Sequence, residues 1–216
     1  MRIHTVRETL TARVWLPLAI LAVAGCRDAT GPLDGHGPVG LQPQLLADSS
    51  LPPNILQQSP SAPLLETYQV AFWAYKQGPA STITVSYQNG QPFLGFHIPR
   101  NSLQDFAASD SLQKGDSILI TLTIDPVRFL VDFQPSGLLF SRSLPATLAM
   151  CYENANPDLN GDGVVDSTDQ ALEEQLAIWS ETGGTSGWFK LSSKDNPTLQ
   201  CVAAPVVHFS QYAILW

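Results

Sequence analysis

Short runs of apolar residues, separated by polar turn sequences, recur from residue 65 to the end of the chain. The runs are rich in β-branched and aromatic residues, which favour strands, and turn signals such as QNGQ at 88–91 divide them. They lie at residues 67–76, 81–87, 92–98, 116–124, 128–133, 146–152, 187–193 and 206–216. Many short strands at this spacing predict a mainly β fold, an antiparallel β-sandwich over residues 65–216.

One stretch between these runs is polar and acidic. The sequence DLNGDGVVDSTD, residues 158–169, holds four carboxylates and an asparagine without a basic residue. Its oxygen-bearing side chains stand at positions 1, 3, 5, 9 and 12 of the stretch, with Gly163 at position 6 and Val164 offering a backbone carbonyl at position 7. This is the ligand spacing of a calcium loop. The predicted ligands are Asp158, Asn160, Asp162, Val164, Asp166 and Asp169.

An acidic surface turn is the alternative interpretation of residues 158–169, because Asn, Asp and Gly are the ordinary residues of turns. A turn would explain the composition of the loop but not the register of its oxygen atoms. In a calcium loop the middle is expected to lie against protein, and Val165 at position 8 is apolar. We therefore expect calcium as the cofactor and a buried Val165.

A short helix is predicted directly after the loop. Ser167 and Gln170 have the spacing of a capping box, and we expect Ala171 and Leu172 to face inward. The loop and helix then form an insertion at 153–176 in a strand connection, after which LAIWSE resumes the sheet.

The loop followed by a helix resembles the half-repeat of dockerins and, more distantly, the EF-hand, over residues 158 to about 176. Dockerins carry two such repeats, whereas this chain has one. EF-hands have a helix before the loop, whereas CYENANP precedes it here and ends in proline. The resemblance therefore implies metal ligands but not the partner binding of dockerins.

The beginning of the chain has the pattern of an export signal. Three arginines in residues 1–13 precede an apolar run at 14–26, and the run ends in VAGC. This tetrapeptide resembles a bacterial lipobox, in which Cys26 would be acylated after removal of residues 1–25. The alternative is an uncleaved membrane helix with an incidental cysteine. Lipidation of Cys26 predicts a cell-envelope protein that is anchored to a membrane. The residue after the lipidated cysteine is Arg27 and not the aspartate that serves as a retention signal, which favours the outer membrane or cell surface.

Residues 26–64 are rich in Pro, Gly and Ser and predict an extended tether between lipid and folded domain. Without residues 1–25 the chain keeps eight basic and eighteen acidic side chains. Nucleic acid is therefore an unexpected partner, because phosphate binding needs clustered Lys and Arg.

Two cysteines remain once Cys26 is assigned to lipid. An even pair in an exported chain predicts a disulfide between Cys151 and Cys201, which would enclose the acidic loop. Two separate buried thiols are the alternative.

The β domain also resembles a known sandwich family. FLGFHIPRNSL at 93–103, DFQPSGLLFSRSLPATLAMCY at 132–152 and HFSQYAILW at 208–216 are similar to the sandwich domain shared by zonula occludens proteins, ankyrins and netrin receptors. The resemblance implies a binding or structural role rather than small-molecule catalysis. We expect a protein or glycan partner, whose identity the sequence does not give. We found no paired histidines for zinc, nucleophile elbow or phosphate-binding glycine loop, and we expect a non-enzyme.

Two other functions stay open. In some members of the resembled family the tripeptide His-Phe-Ser is cleaved by its own serine, and His208, Phe209 and Ser210 match it. Intramolecular attack needs a strained peptide and an aligned base, which three residues do not establish. The dockerin-like loop instead suggests an accessory module of carbohydrate-degrading systems. That module needs a second repeat or an exposed aromatic platform, and Trp73, Trp179 and Trp188 could supply the platform.

Overall fold

The computed structural model describes residues 51–106, 112–182 and 187–216. Within these ranges the chain forms thirteen strands and one short helix. The fold is mainly β and all paired strands of its sheets are antiparallel, which confirms the predicted fold class. The predicted signal peptide at 1–25, Cys26 and the first part of the predicted tether lie outside the described residues.

The larger sheet has six strands in the order β1, β5, β6, β13, β9, β10. Their bounds are Gln69–Tyr75 (β1), Ser117–Ile124 (β5), Leu130–Gln134 (β6), Gln211–Leu215 (β13), Ala177–Thr182 (β9) and Gly187–Lys190 (β10). The strand β9 begins directly after the insertion, so the prediction that LAIWSE resumes the sheet is confirmed.

The second sheet has five strands in the order β11, β12, β8, β3, β2. Their bounds are Lys194–Asn196 (β11), Cys201–Val206 (β12), Ala146–Cys151 (β8), Pro92–Ile98 (β3) and Ser81–Ser86 (β2). A two-stranded sheet pairs β4 (Leu103–Phe106) with β7 (Leu138–Phe140). The predicted QNGQ turn joins β2 to β3, and Gly90 there has a φ of 86°, which glycine adopts without strain.

One hydrophobic core joins the two large sheets. Phe96 on β3 and Phe133 on β6 have ring centroids 4.7 Å apart, and Phe209 stacks on Phe133 at 4.8 Å. All three rings are buried, and each buried side chain of this size stabilises the fold by roughly 1.5–3 kcal/mol. Alternate residues of β5 and β12 face this core, as the period of a strand requires.

The chain before residue 65 also contacts the sandwich. Ile55 and Leu56 are buried, Ile55 bridges Leu215, and the Leu56 N–H donates to the carbonyl of Ile214 at 2.9 Å. The described part of the predicted tether, residues 51–64, therefore includes side chains that belong to the core.

Candidate functional site

The acidic loop lies between β8 and α1 (Ser167–Glu173), the short helix. Residues 160–168 are exposed, and the loop belongs to the segment closed by Cys151 and Cys201. Five of the six predicted metal ligands thus lie in the loop itself, and the sixth, Asp169, lies in the first turn of α1.

The first ligand position, Asp158, organises the turn that follows it. One carboxylate oxygen accepts the N–H of Gly161 at 2.8 Å, and the other accepts the N–H of Gly163 at 2.9 Å. Gly163 has a φ of 85°, in the left-handed region that favours glycine. The glycine at position 6 therefore allows the chain to turn back over the Asp158 carboxylate.

The next two ligand positions repeat this arrangement. The side-chain oxygen of Asn160 accepts the N–H of Asp162 at 2.9 Å, and its amide donates to the Asp162 carboxylate at 3.0 Å. Asp162 in turn accepts the N–H of Val164 at 2.8 Å. These side-chain to backbone bonds are those of Asx turns, which hold an irregular loop in one conformation.

Asp169 links both ends of the loop, and its side chain is buried. One carboxylate oxygen accepts the N–H groups of Leu159 at 2.8 Å and Asn160 at 3.2 Å, and the other accepts the N–H of Asp166 at 3.0 Å. These backbone hydrogen bonds, first of all the one from Asp166, lower the pKa of Asp169 below its ordinary value. The last ligand position is therefore held ionised by the loop that it closes.

The N-cap of the helix lies one residue before the predicted cap, Ser167. Asp166 is the N-cap and accepts the N–H of Thr168 at 2.7 Å, with Asp169 completing the capping box, so the prediction of a Ser167 and Gln170 box is wrong. The predicted inward position of Ala171 is also wrong, since this residue is exposed. The reason is that Asp169, through its bonds to the loop, occupies the buried face of the helix.

Val165 does not lie against protein as expected. It is 61% exposed and its neighbour Val164 is 58% exposed, so two adjacent apolar side chains face solvent at the tip of the loop. The middle of the loop is supported by the backbone bonds of Asp158 and Asp162 instead of by apolar packing.

The donor set of the loop is chemically suited to a hard cation. Its members are carboxylate, amide and carbonyl oxygens, which Ca²⁺ and Mg²⁺ prefer. In the described residues, no three His, Cys, Asp or Glu side chains are gathered closely enough to hold a metal ion. The carboxylates are each turned toward backbone N–H groups, and an oxygen that accepts one such bond keeps a further lone pair.

A disulfide joins Cys151 and Cys201, as predicted. The two cysteines face each other directly in the register of β8 and β12. The bond therefore closes a segment of the chain that begins and ends in the second sheet and carries the acidic loop.

The tripeptide at His208 to Ser210 lies just before β13. Ser210 is buried, and its hydroxyl donates to the backbone carbonyl of Glu181 at 2.8 Å. The carbonyl of Phe209, which a self-cleaving serine would attack, accepts the N–H of Gly137 at 3.1 Å. The backbone carbonyl of His208 accepts a hydrogen bond from the Tyr212 hydroxyl. These bonds fit a well-ordered entry to the closing strand.

The three tryptophans considered for an aromatic platform lie in different places. Trp73 on β1 is 55% exposed, whereas Trp179 and Trp188 are half-buried against a small hydrophobic cluster around Ile55. Tyr75 shares the outer face of β1 with Trp73 and is 48% exposed. Leu119 on β5 pairs with Trp73 and is 46% exposed.

None of the helices in the described ranges has the length and apolar character needed to cross a bilayer. Comparison of the chain with family models, curated proteins and solved structures found no match in any of the three.

Proposed function

We propose that this protein is a lipid-anchored component of a bacterial cell envelope, in which a non-catalytic β-sandwich has a binding or structural role and the acidic loop binds one calcium ion. The observation that carries the proposal is the register of oxygen donors from Asp158 to Asp169, together with the glycine turn that brings Gly163 over Asp158. The sandwich fold supports the family resemblance at the level of fold class.

The residues that would hold the ion are the six predicted ligands. When bound, calcium would supply a divalent charge that neutralises carboxylates which otherwise repel one another. Asp158, Asn160 and Asp162 each accept a backbone N–H from a residue two or three positions further along, while Asp169 is fixed from both sides by backbone N–H groups. Binding of the ion would therefore require little further ordering of the loop backbone. The ion would act as a local stabiliser and not as a conformational switch.

Calcium titration of the full chain tests this proposal. For a site with a dissociation constant of about 1 mM, 10 mM calcium stabilises the folded state by about 1.4 kcal/mol. A protein of this size then melts roughly 3–6 °C higher. Calorimetry should show heat on calcium addition in the same range.

Two alanine variants make the test specific. Asp162 is exposed and bonds only within the loop, so Asp162→Ala should abolish most of the calcium-induced rise in melting temperature. Asp132→Ala, on β6 outside the loop, should keep the full rise. Equal responses of the two variants, or no response of the native chain, would refute the calcium proposal.

Anchoring is tested separately in a bacterial host. The native chain should incorporate labelled palmitate and fractionate with membranes, and Cys26→Ser should lose the label. Recovery of unlabelled native protein with an intact N-terminus would contradict lipidation without affecting the calcium proposal.

A carbohydrate-binding accessory module is the second candidate function, and the exposed face formed by Trp73, Tyr75 and Leu119 favours it. Flat aromatic rings on an outer sheet face can stack against sugar rings, and large exposed apolar patches often mark interaction sites. A glycan pull-down should retain the native chain and the Phe189→Ala control but lose Trp73→Ala. Phe189 is a suitable control because it is 38% exposed on β10, at the opposite edge of the same sheet.

A further inference from the structure

A second site lies away from the acidic loop, where the two-stranded sheet meets the segment between β12 and β13. A cavity of about 410 Å³ opens there. Its walls include Asp105 from β4, Leu139 from β7, Arg142 just after β7, and Val207 and His208 from the segment before β13. A bridge between Leu139 and His208 joins two of these pieces of chain.

Asp105 is the acidic residue of the described cavity lining, and its negative charge is already paired with a lysine. The Asp105 carboxylate accepts a hydrogen bond from the Lys76 ammonium, with Nζ and Oδ1 2.5 Å apart. It also accepts the backbone N–H of Leu112 at 2.9 Å. The charge of Asp105 is therefore balanced by a lysine outside the cavity.

Arg142, in contrast, has neither a hydrogen-bond acceptor nor a carboxylate partner among the described residues, and its side chain is exposed at the cavity. The guanidinium carries five N–H donors in a planar fork that matches an oxyanion in two-point contact. His208 adds a ring that carries donor capacity, and its centroid lies 6.4 Å from that of Phe189 and 6.3 Å from that of Tyr212. Because Lys76 balances Asp105, the guanidinium of Arg142 is the charge of the lining that no described side chain compensates, in a chain whose net charge is −8.

We propose that this cavity binds a small organic acid through its carboxylate, with Arg142 as the principal contact and His208 beside it. Leu139 and Val207 give the lining an apolar part that suits the carbon body of such a ligand. The volume is in the range of small-molecule sites, which combine apolar walls with a few polar groups. The site uses none of the residues of the acidic loop, so the inference goes beyond calcium binding and does not depend on it.

Titration of the full chain with benzoate, benzamide and inorganic phosphate tests the proposal by NMR or calorimetry. Benzoate should bind with a dissociation constant of about 1 mM or tighter. Benzamide has the same shape without the charge and should bind at least tenfold more weakly, because a bond to a charged acceptor is stronger. Phosphate should also bind more weakly than benzoate, since it makes no use of Leu139 and Val207.

Arg142→Gln should weaken benzoate binding roughly tenfold or more. Arg100→Gln is the matched control, because Arg100 is likewise exposed, pairs with no carboxylate among the described residues, and does not line the cavity. As a second variant, Ser141→Asp places a carboxylate in the lining and should abolish benzoate binding by repulsion.

Unchanged melting temperatures of the variants would show that they fold. No benzoate binding at 10 mM, about ten times the expected dissociation constant, would overturn the proposal. So would equal binding of benzamide or an equal effect of the Arg142 and Arg100 substitutions. Phosphate that binds as tightly as benzoate would overturn the claim that Leu139 and Val207 contribute to binding. Calcium addition should leave benzoate binding unchanged, so this site and the acidic loop can fail independently.

Discussion

Replacing Cys151 and Cys201 together by alanine should destabilise the protein by about 4 kcal/mol. The disulfide joins residues 50 positions apart, and the chain-entropy model assigns a closure of that length a stabilisation of about 4 kcal/mol at 25 °C. This is a large part of the roughly 5–15 kcal/mol by which a domain is usually stable.

The effect should arise mainly in the unfolded chain. In the folded state the two positions are paired directly across β8 and β12, and five further residue pairs hold the same two strands together. The alanine variant should therefore keep its fold, while its unfolded chain gains the freedom that the cross-link removes.

Urea unfolding followed by circular dichroism measures the difference. With a slope of about 2 kcal/mol per molar urea, a loss of about 4 kcal/mol lowers the midpoint by about 2 M. Native protein under reducing conditions should unfold like the double variant, and the reductant should leave the double variant unchanged. A double variant within about 1 kcal/mol of the oxidised native protein would refute the chain-entropy reasoning.

Two further predictions concern buried or paired carboxylates. Asp125 is fully buried and accepts the N–H groups of Val127 and Arg128, both at 2.9 Å, as well as the Arg128 guanidinium. Asp125→Ala should therefore cost about 3 kcal/mol in urea unfolding, and a loss under about 1 kcal/mol would contradict the assigned role. The hydrogen bond from Lys76 lowers the pKa of Asp105 below its ordinary 3.8. The pair therefore stabilises the folded state above pH 3.8, and this contribution is lost as the pH falls through the lowered pKa of the folded protein. Lys76→Met should raise the pKa of Asp105 toward 3.8 in an NMR titration, and an unmoved pKa would disprove the pairing.

Much of the local structure follows from the sequence because the spacing of apolar residues that indicates a strand is visible within a few residues. The run at 116–124 has isoleucine or leucine at every second position from 118 to 124, and β5 occupies 117–124 with that face toward the core. The disulfide could also be predicted, because the expectation that Cys26 is lipidated left a single pair of cysteines.

The cap of the short helix shows where local pattern was insufficient. Asp166 and Ser167 are adjacent residues that can both cap a helix. Asp169 decides between them, because its carboxylate accepts N–H groups from Leu159, Asn160 and Asp166 and so fixes the register of the first turn. Those contacts span the whole loop and are not visible in a window of a few residues.

By itself, the sequence determined the strand-rich class, the spacing of oxygen donors in the acidic loop and the identity of the cysteine pair. Only the tertiary structure decided which strands are neighbours, that Ile55 and Leu56 belong to the core, and that Arg142 and His208 line one cavity. Arg142 and His208 are distant in the chain and lie in no shared motif. They line the same cavity because the fold brings β7 and the segment before β13 together, and burial of apolar surface is a property of the whole fold.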